Sequence, residues 1–171
     1  MFGYNGKILK VDLTSKTVST IPLDENLVEK FLGGAGYAIA TLFNMVDKDT
    51  DPLGPENVIV VGAGPCNGTI VPGSCRFTLT SKSPMTGILG DSNSGGFFGA
   101  VMKYAGYDLV ILEGRSKEPV YLWIDDDNVE IRNAEHLWGK TSTETESAVI
   151  AETHPDAKVT CIGPAGENLV R

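Results

Sequence analysis

Residues 90–98 read Gly-Asp-Ser-Asn-Ser-Gly-Gly-Phe-Phe and bring a carboxylate, two hydroxyls, an amide and paired glycines to the start of an apolar run with helical spacing. Backbone N–H groups at a helix start attract phosphate and other anions. Asn93 offers a neutral oxygen to a hard cation such as magnesium, which suits a site bridging phosphates. Gly95 lets a ligand come close to the main chain. The plainer alternative is an N-cap after a tight loop, a role that Ser and Asn fill routinely. Arg76 follows Val-Pro-Gly-Ser-Cys at residues 71–75. Its guanidinium could grip a phosphate through two parallel bonds or lie against an electron-rich ring. A surface salt bridge is the competing reading.

Other motifs carry less. The segment Gly62-Ala63-Gly64-Pro65-Cys66-Asn67-Gly68 follows an apolar run, but the sixth position of a dinucleotide fingerprint is Asn67 and Pro65 opposes a helix. No GxxxxGK[ST] is present. His136 and His154 have no neighbouring nucleophile and read as surface residues. Asp125-Asp126-Asp127 lacks the alternating ligands and terminal Glu of a calcium loop and reads as a solvated turn. Cys66, Cys75 and Cys161, odd in number and without CxxC spacing, form no disulfide framework or complete metal site and are expected to be small buried thiols.

These residues need elements to position them. Alternation over 7–13 and 17–23 predicts a hairpin. Asp24 caps a helix that Gly33 stops, and 37–45 forms a second helical stretch. Residues 58–61 form a buried strand and 76–81 an alternating one. Residues 92–96 form a polar glycine loop leading into a helix that ends at Gly106. A strand over 108–113 follows, then a hairpin of 120–124 with 129–131. Thr141 with Glu144, or Thr143 with Glu146, opens a helix running to about Glu152. A last strand covers 158–162. The order predicts an α+β fold rather than regular βαβ winding.

The 171 residues are 42% hydrophobic and 21% charged, which fits one globular domain rather than a disordered chain. The net charge of -8 opposes a general role on nucleic acid or anionic membrane. No leader or membrane-spanning run is visible, so a cytoplasmic protein is expected. Glycine, 20 of 171 residues, is enriched and clusters at 33–36, 62–73 and 87–99. Such clusters suggest backbone brought close to something.

Taken in order, several short segments resemble the N-terminal domain of the tungsten-containing aldehyde ferredoxin oxidoreductases. They are Tyr4-Asn5-Gly6-Lys7, Phe31-Leu32-Gly33-Gly34, Asp51-Pro52-Leu53-Gly54-Pro55-Glu56-Asn57 and Gly64-Pro65. Further along come Ser81-Lys82-Ser83-Pro84-Met85-Thr86-Gly87, Asn93-Ser94-Gly95-Gly96, Ala105-Gly106-Tyr107-Asp108 and the Ile162–Val170 segment. The resemblance implies an α+β base of duplicated sheet-and-helix units on which a tungsten or molybdenum bis-pterin sits. By this resemblance Arg76 contacts the pterin, between it and a [4Fe-4S] cluster. Asn93 binds the cofactor and a magnesium ion bridging its two phosphates, and Gly95 approaches the cofactor.

The implied reaction oxidises an aldehyde to a carboxylic acid with ferredoxin as acceptor. The implied partners are the remaining C-terminal domains and a second copy of the chain. Ala35 departs from the arginine that many relatives carry in that turn. Residues 1–171 are expected to stop before the family domain ends, with the cluster cysteines and the catalytic acid and histidine beyond it, so no catalytic residue is assigned here. The alternatives are a non-catalytic binding or assembly module, or a related enzyme acting on other oxo compounds or aromatic acyl thioesters.

Overall fold

A computed structural model describes residues 2–170. The chain divides into two compact units, residues 1–115 and 116–171.

The first unit is built on a six-stranded sheet in the order β2-β1-β6-β3-β4-β5. Its strands are β1 (Lys7–Asp12), β2 (Thr17–Pro22), β3 (Ile59–Ala63), β4 (Phe77–Lys82), β5 (Leu89–Ser94) and β6 (Leu109–Glu113). Only the β1–β6 pairing is parallel; the others are antiparallel. The central strands are buried on both faces, as the continuous apolar runs of β3 and β6 require. The fold is α+β.

Helix α1 (Glu25–Phe31) starts where Asp24 accepts the Asn26 N–H. It ends at Leu32, which adopts a positive φ of 62°, rather than at Gly33. Helix α2 (Gly34–Met45) therefore begins inside the first glycine cluster, earlier than apolar spacing indicates. Tyr37, Ala38 and Leu42 of α2 pack with Ile8, Val28, Val58, Val60, Leu109 and Ile111 to form a core on one face of the sheet. On the other face, α3 (Phe98–Tyr104) meets β4, with the Phe98 and Phe77 rings 4.8 Å apart.

Two buried lysines tie the unit together. Lys82 donates to the carbonyls of Asp47, Lys48 and Thr50 at 3.1, 2.7 and 2.7 Å, closing the turn that follows α2. Lys103, 8% exposed, pairs with Asp108, 1% exposed, and also donates to the Gly3 carbonyl. Asp108 accepts the N–H groups of Asn5 and Gly6 at 2.9 and 2.8 Å, and the Asn5 amide donates to the Lys103 carbonyl. This network straps the N-terminal segment to α3 and to the start of β6.

In the second unit β7 (Val120–Asp125) pairs with β8 (Asn128–Asn133) across the acidic turn, as expected. A 3-10 turn at Glu135–Leu137 and helix α4 (Ser142–Glu152) follow, then α5 (Pro164–Glu167). Thr141 and Glu144 form the capping box of α4. The Glu144 carboxyl is held below its ordinary range by the backbone N–H and hydroxyl of Thr141. The strand expected over 158–162 does not form. Val159 packs against the Ala134, Leu137 and Val149 cluster, but the segment has no ladder partner among the described residues.

Removing one member of a buried ion pair leaves the other charge uncompensated. Lys103→Met is therefore expected to lower stability by about 3–5 kcal/mol, read from the denaturant midpoint. Adding Asp108→Asn should recover part of the loss.

Candidate cofactor-binding site

The β4–β5 register decides where the chemistry falls. Phe77 opposes Ser94 and Thr78 opposes Asn93. One step beyond the last pair, Arg76 comes level with Gly95. Side chains alternate across a sheet, so Arg76, Thr78, Asn93 and Gly95 belong to one face at one end of a single hairpin. The three residues singled out by sequence are thus brought together. Ala63 opposes Phe77, so the Gly62–Gly64 turn lies at this same end. The start of α2 joins it, since a Cβ on Gly62 would stand 2.8 Å from the Gly34 carbonyl oxygen.

The local structure around Asn93 corrects the sequence reading. Residues 92–94 are the end of β5, not a loop, and Asn93 caps no helix. Helix α3 begins later, at Phe98, and its cap residue Phe97 makes no side-chain capping bond. The Asn93 amide nitrogen donates instead to Asp91 Oδ2 at 3.2 Å, and Asn93 Oδ1 accepts from the Thr78 hydroxyl at 2.9 Å. Ser, Asp, Gly and Asn are poor strand formers by propensity; cross-strand pairing overrides it.

Arg76 is exposed at the head of β4, and among the described residues its guanidinium makes no ion pair or hydrogen bond. The surface salt bridge weighed above is absent from this face. The Arg76 carbonyl is fixed, accepting the Asn67 amide N–H at 2.8 Å. Asn67 is buried, and its oxygen accepts the Gly64 N–H at 3.3 Å. It staples the 64–76 segment to the head of β4. Sequence reasoning treated Asn67 only as a failed fingerprint position, and its role depends on a contact nine residues away.

The glycine clusters serve two purposes. Many glycines are packed: a Cβ on Gly36 would meet the Phe31 carbonyl oxygen at 2.5 Å, and one on Gly99 the Asn67 amide nitrogen at 2.6 Å. Others, such as Gly68 and Gly96, hold a positive φ of 74° and 79°. Gly95 differs from all the rest. A Cβ there would meet nothing within 4 Å, and its φ lies outside the left-handed region. Neither close packing nor a left-handed φ calls for glycine at 95, and the main chain there is open to solvent.

The cysteines are not buried thiols. Cys66 and Cys161 are exposed and Cys75 is partly exposed. Among the described residues no three His, Cys, Asp or Glu side chains are grouped to hold a metal. His136 and His154 lie on the surface, the former against Glu152 at 2.7 Å. A depression of about 640 Å³, lined by Asp47, Asp49, Asp51 and Glu56 among others, lies near the Lys82 end of β4, away from Arg76. No helix among the described residues is long and apolar enough to cross a membrane.

Residues 8–171 match the family profile described as aldehyde ferredoxin oxidoreductase, N-terminal domain. The chain belongs to this family. Over its full length it is 44% identical to a tungsten-containing aldehyde ferredoxin oxidoreductase of Pyrococcus furiosus and 46% identical to one of Thermococcus kodakarensis. It is 37% identical to the WOR-like subunit of an aliphatic sulfonate oxidoreductase of Pyrococcus furiosus. The chain spans only 28%, 28% and 30% of these three relatives. The active-site complex BamBC of benzoyl coenzyme A reductase, solved with 1,5-dienoyl-CoA, superposes with a TM-score of 0.96 and 40% identity. That match covers 98% of this chain and 26% of the other. These aldehyde ferredoxin oxidoreductase relatives are oxidoreductases named for tungsten, and all the relatives named here are much longer than this chain.

The close packing under the site gives a direct expectation. Gly99→Ala would drive a methyl into Asn67 and to within 3.1 Å of the Cys75 carbonyl oxygen. Overpacking of this kind costs about 1–3 kcal/mol, readable as a lowered unfolding midpoint.

Proposed function

We propose that this chain forms the floor of a tungsten pterin site in an enzyme that oxidises aldehydes to carboxylic acids and passes the electrons to ferredoxin. Gly95 carries the reading. It is a glycine that close packing and φ leave unexplained, level with an arginine that has no partner among the described residues and two residues from an amide oxygen. The donor set fits a phosphorylated, planar, metal-bearing ligand. Arg76 supplies a flat cation for a phosphate or a ring face. Asn93 keeps a lone pair on Oδ1, because an amide oxygen accepts two bonds and Thr78 uses one. That lone pair suits magnesium held with phosphate oxygens. Gly95 leaves room for the ligand against the main chain.

When bound, the tungsten pterin would supply the two-electron chemistry at the substrate carbon. Arg76, Asn93 and Gly95 would bind and orient the group. Cys66, Cys75 and Cys161 are not grouped, so these three would not serve a [4Fe-4S] cluster.

A related reaction is the second reading. It is favoured by the match to a sulfonate oxidoreductase subunit and by the near superposition on a benzoyl coenzyme A reductase complex. The same floor would serve it, with a different oxo compound or an aromatic acyl thioester above. Assaying the whole gene product, made anaerobically with tungstate, against aldehydes, sulfonates and aromatic acyl thioesters separates the two readings.

In that preparation Asn93→Ala and Arg76→Ala are expected to lower tungsten and pterin content several-fold while the unfolding midpoint stays near wild type. Unchanged tungsten and pterin in both variants would remove the reading. The isolated 171-residue polypeptide is expected to show no aldehyde-dependent viologen reduction.

A further inference from the structure

The chain reaches Arg76 through a long loop from the end of β3, and that loop is held unevenly. Its first part is packed. The Asn67 N–H donates to the Gly64 carbonyl at 3.1 Å, and the Tyr104 hydroxyl of α3 donates to the Gly68 carbonyl at 3.0 Å. Its second part is loosely tied. Among the described residues the hydrogen bonds of 69–75 stay within the loop, from Thr69 to the Cys66 carbonyl, from Val71 to the Thr69 hydroxyl and from Ser74 to the Val71 carbonyl. Ile70 is fully exposed.

One side chain bridges the packed part to the point where the chain enters the sheet. Asn67, 7% exposed, donates from Nδ2 to the Arg76 carbonyl at 2.8 Å, while its Oδ1 accepts the Gly64 N–H. Arg76 lies one residue before Phe77, where β4 begins to pair with β3 and β5. The Arg76 carbonyl and the Phe77 N–H share one planar peptide unit. The Asn67 amide therefore fixes the plane from which the Arg76 Cα departs. Helix α3 backs the amide, since a Cβ on Gly99 would stand 2.6 Å from Asn67 Nδ2. An arginine at the end of a loose loop would have to be ordered, main chain and side chain together, whenever it met a ligand. Main chain that is already fixed removes part of that cost.

We propose that Asn67 is a positioning residue: by holding the Arg76 carbonyl it aims the Arg76 side chain at the ligand on the hairpin. This rests on the reading of Arg76 given above. Asn67 is buried and acts through Arg76.

The test uses the whole gene product, made anaerobically with tungstate, in a double-mutant cycle of Asn67→Ala and Arg76→Ala. Two quantities are read: tungsten and pterin retained per polypeptide, and the tungsten midpoint potential from a redox titration followed by electron paramagnetic resonance. A nearby cation favours the reduced, more negative state, so Arg76→Ala is expected to lower the potential. Asn67→Ala is expected to lower it in the same direction and by less. Retained tungsten is expected to fall by about two- to tenfold, the factor that corresponds to one hydrogen bond. In the Arg76→Ala background Asn67→Ala is expected to change neither quantity. A merely structural loss would persist without the arginine. Asn67→Leu, which keeps volume, takes the place of alanine if the alanine variant does not fold, with the same expectations.

Equal effects of Asn67→Ala with and without the arginine overturn the positioning role. So do native content and potential in Asn67→Ala alongside a loss in Arg76→Ala, and both results leave the reading of Arg76 standing. Native content and potential in Arg76→Ala overturn that reading and the positioning role together.

Discussion

The candidate site depends on the alignment of two antiparallel strands. With Phe77 against Ser94, Asn93 meets Thr78 and Gly95 comes level with Arg76. A slip of one residue would send Asn93 and Gly95 to the opposite face, toward the side on which Phe77 packs with Phe98. Register on such a polar strand is weakly specified by its own pattern, because β5 has almost no buried side. The specification comes from β4, which is anchored at both ends. Asn67 holds the Arg76 carbonyl at one end, and Lys82 grips three carbonyls at the other.

The rest of the first unit brings other segments to this end of the sheet. The β3 turn at Gly62–Gly64, the start of α2 and the strap around Asp108 all gather there, because β3 ends where β4, β6 and the parallel strand β1 begin. The glycines at 34 and 62 let the start of α2 lie against the end of β3 with main chain touching main chain, and Gly36 does the same for α2 against the Phe31 carbonyl at the end of α1. Their closeness is to neighbouring main chain, whereas Gly73, Gly87, Gly95 and Gly96 face open space, Gly95 without a left-handed φ.

Much of the fold could be read from the chain because local signals agreed with tertiary ones. The first hairpin, the Asp24 cap, the apolar runs of β3 and β6 and the Thr141–Glu144 box each have a short-range physical cause. Errors arose where long-range pairing overruled propensity. Residues 92–94 look like a loop and form a strand because β4 lies beside them. Residues 158–162 look like a strand and form none among the described residues, because alternation supplies a face but no partner. Arg76, Asn93 and Gly95 were singled out from their types and from the resemblance, and the register sets them at one end of the β4–β5 hairpin. The bonds that Thr78, Asp91 and Asn67 make around them were not legible, since only the folded chain creates these contacts.

Gly95 also marks a place where stability and function separate. Replacing a glycine whose backbone other residues can adopt usually raises stability by about 0.4–1 kcal/mol, because it restricts the unfolded chain. With no neighbour inside 4 Å and no left-handed φ, alanine at 95 meets no obstacle within the chain itself. A selection for thermal robustness alone would therefore discard this glycine early. On the reading proposed above, glycine at 95 leaves room for the ligand at a small cost to the fold.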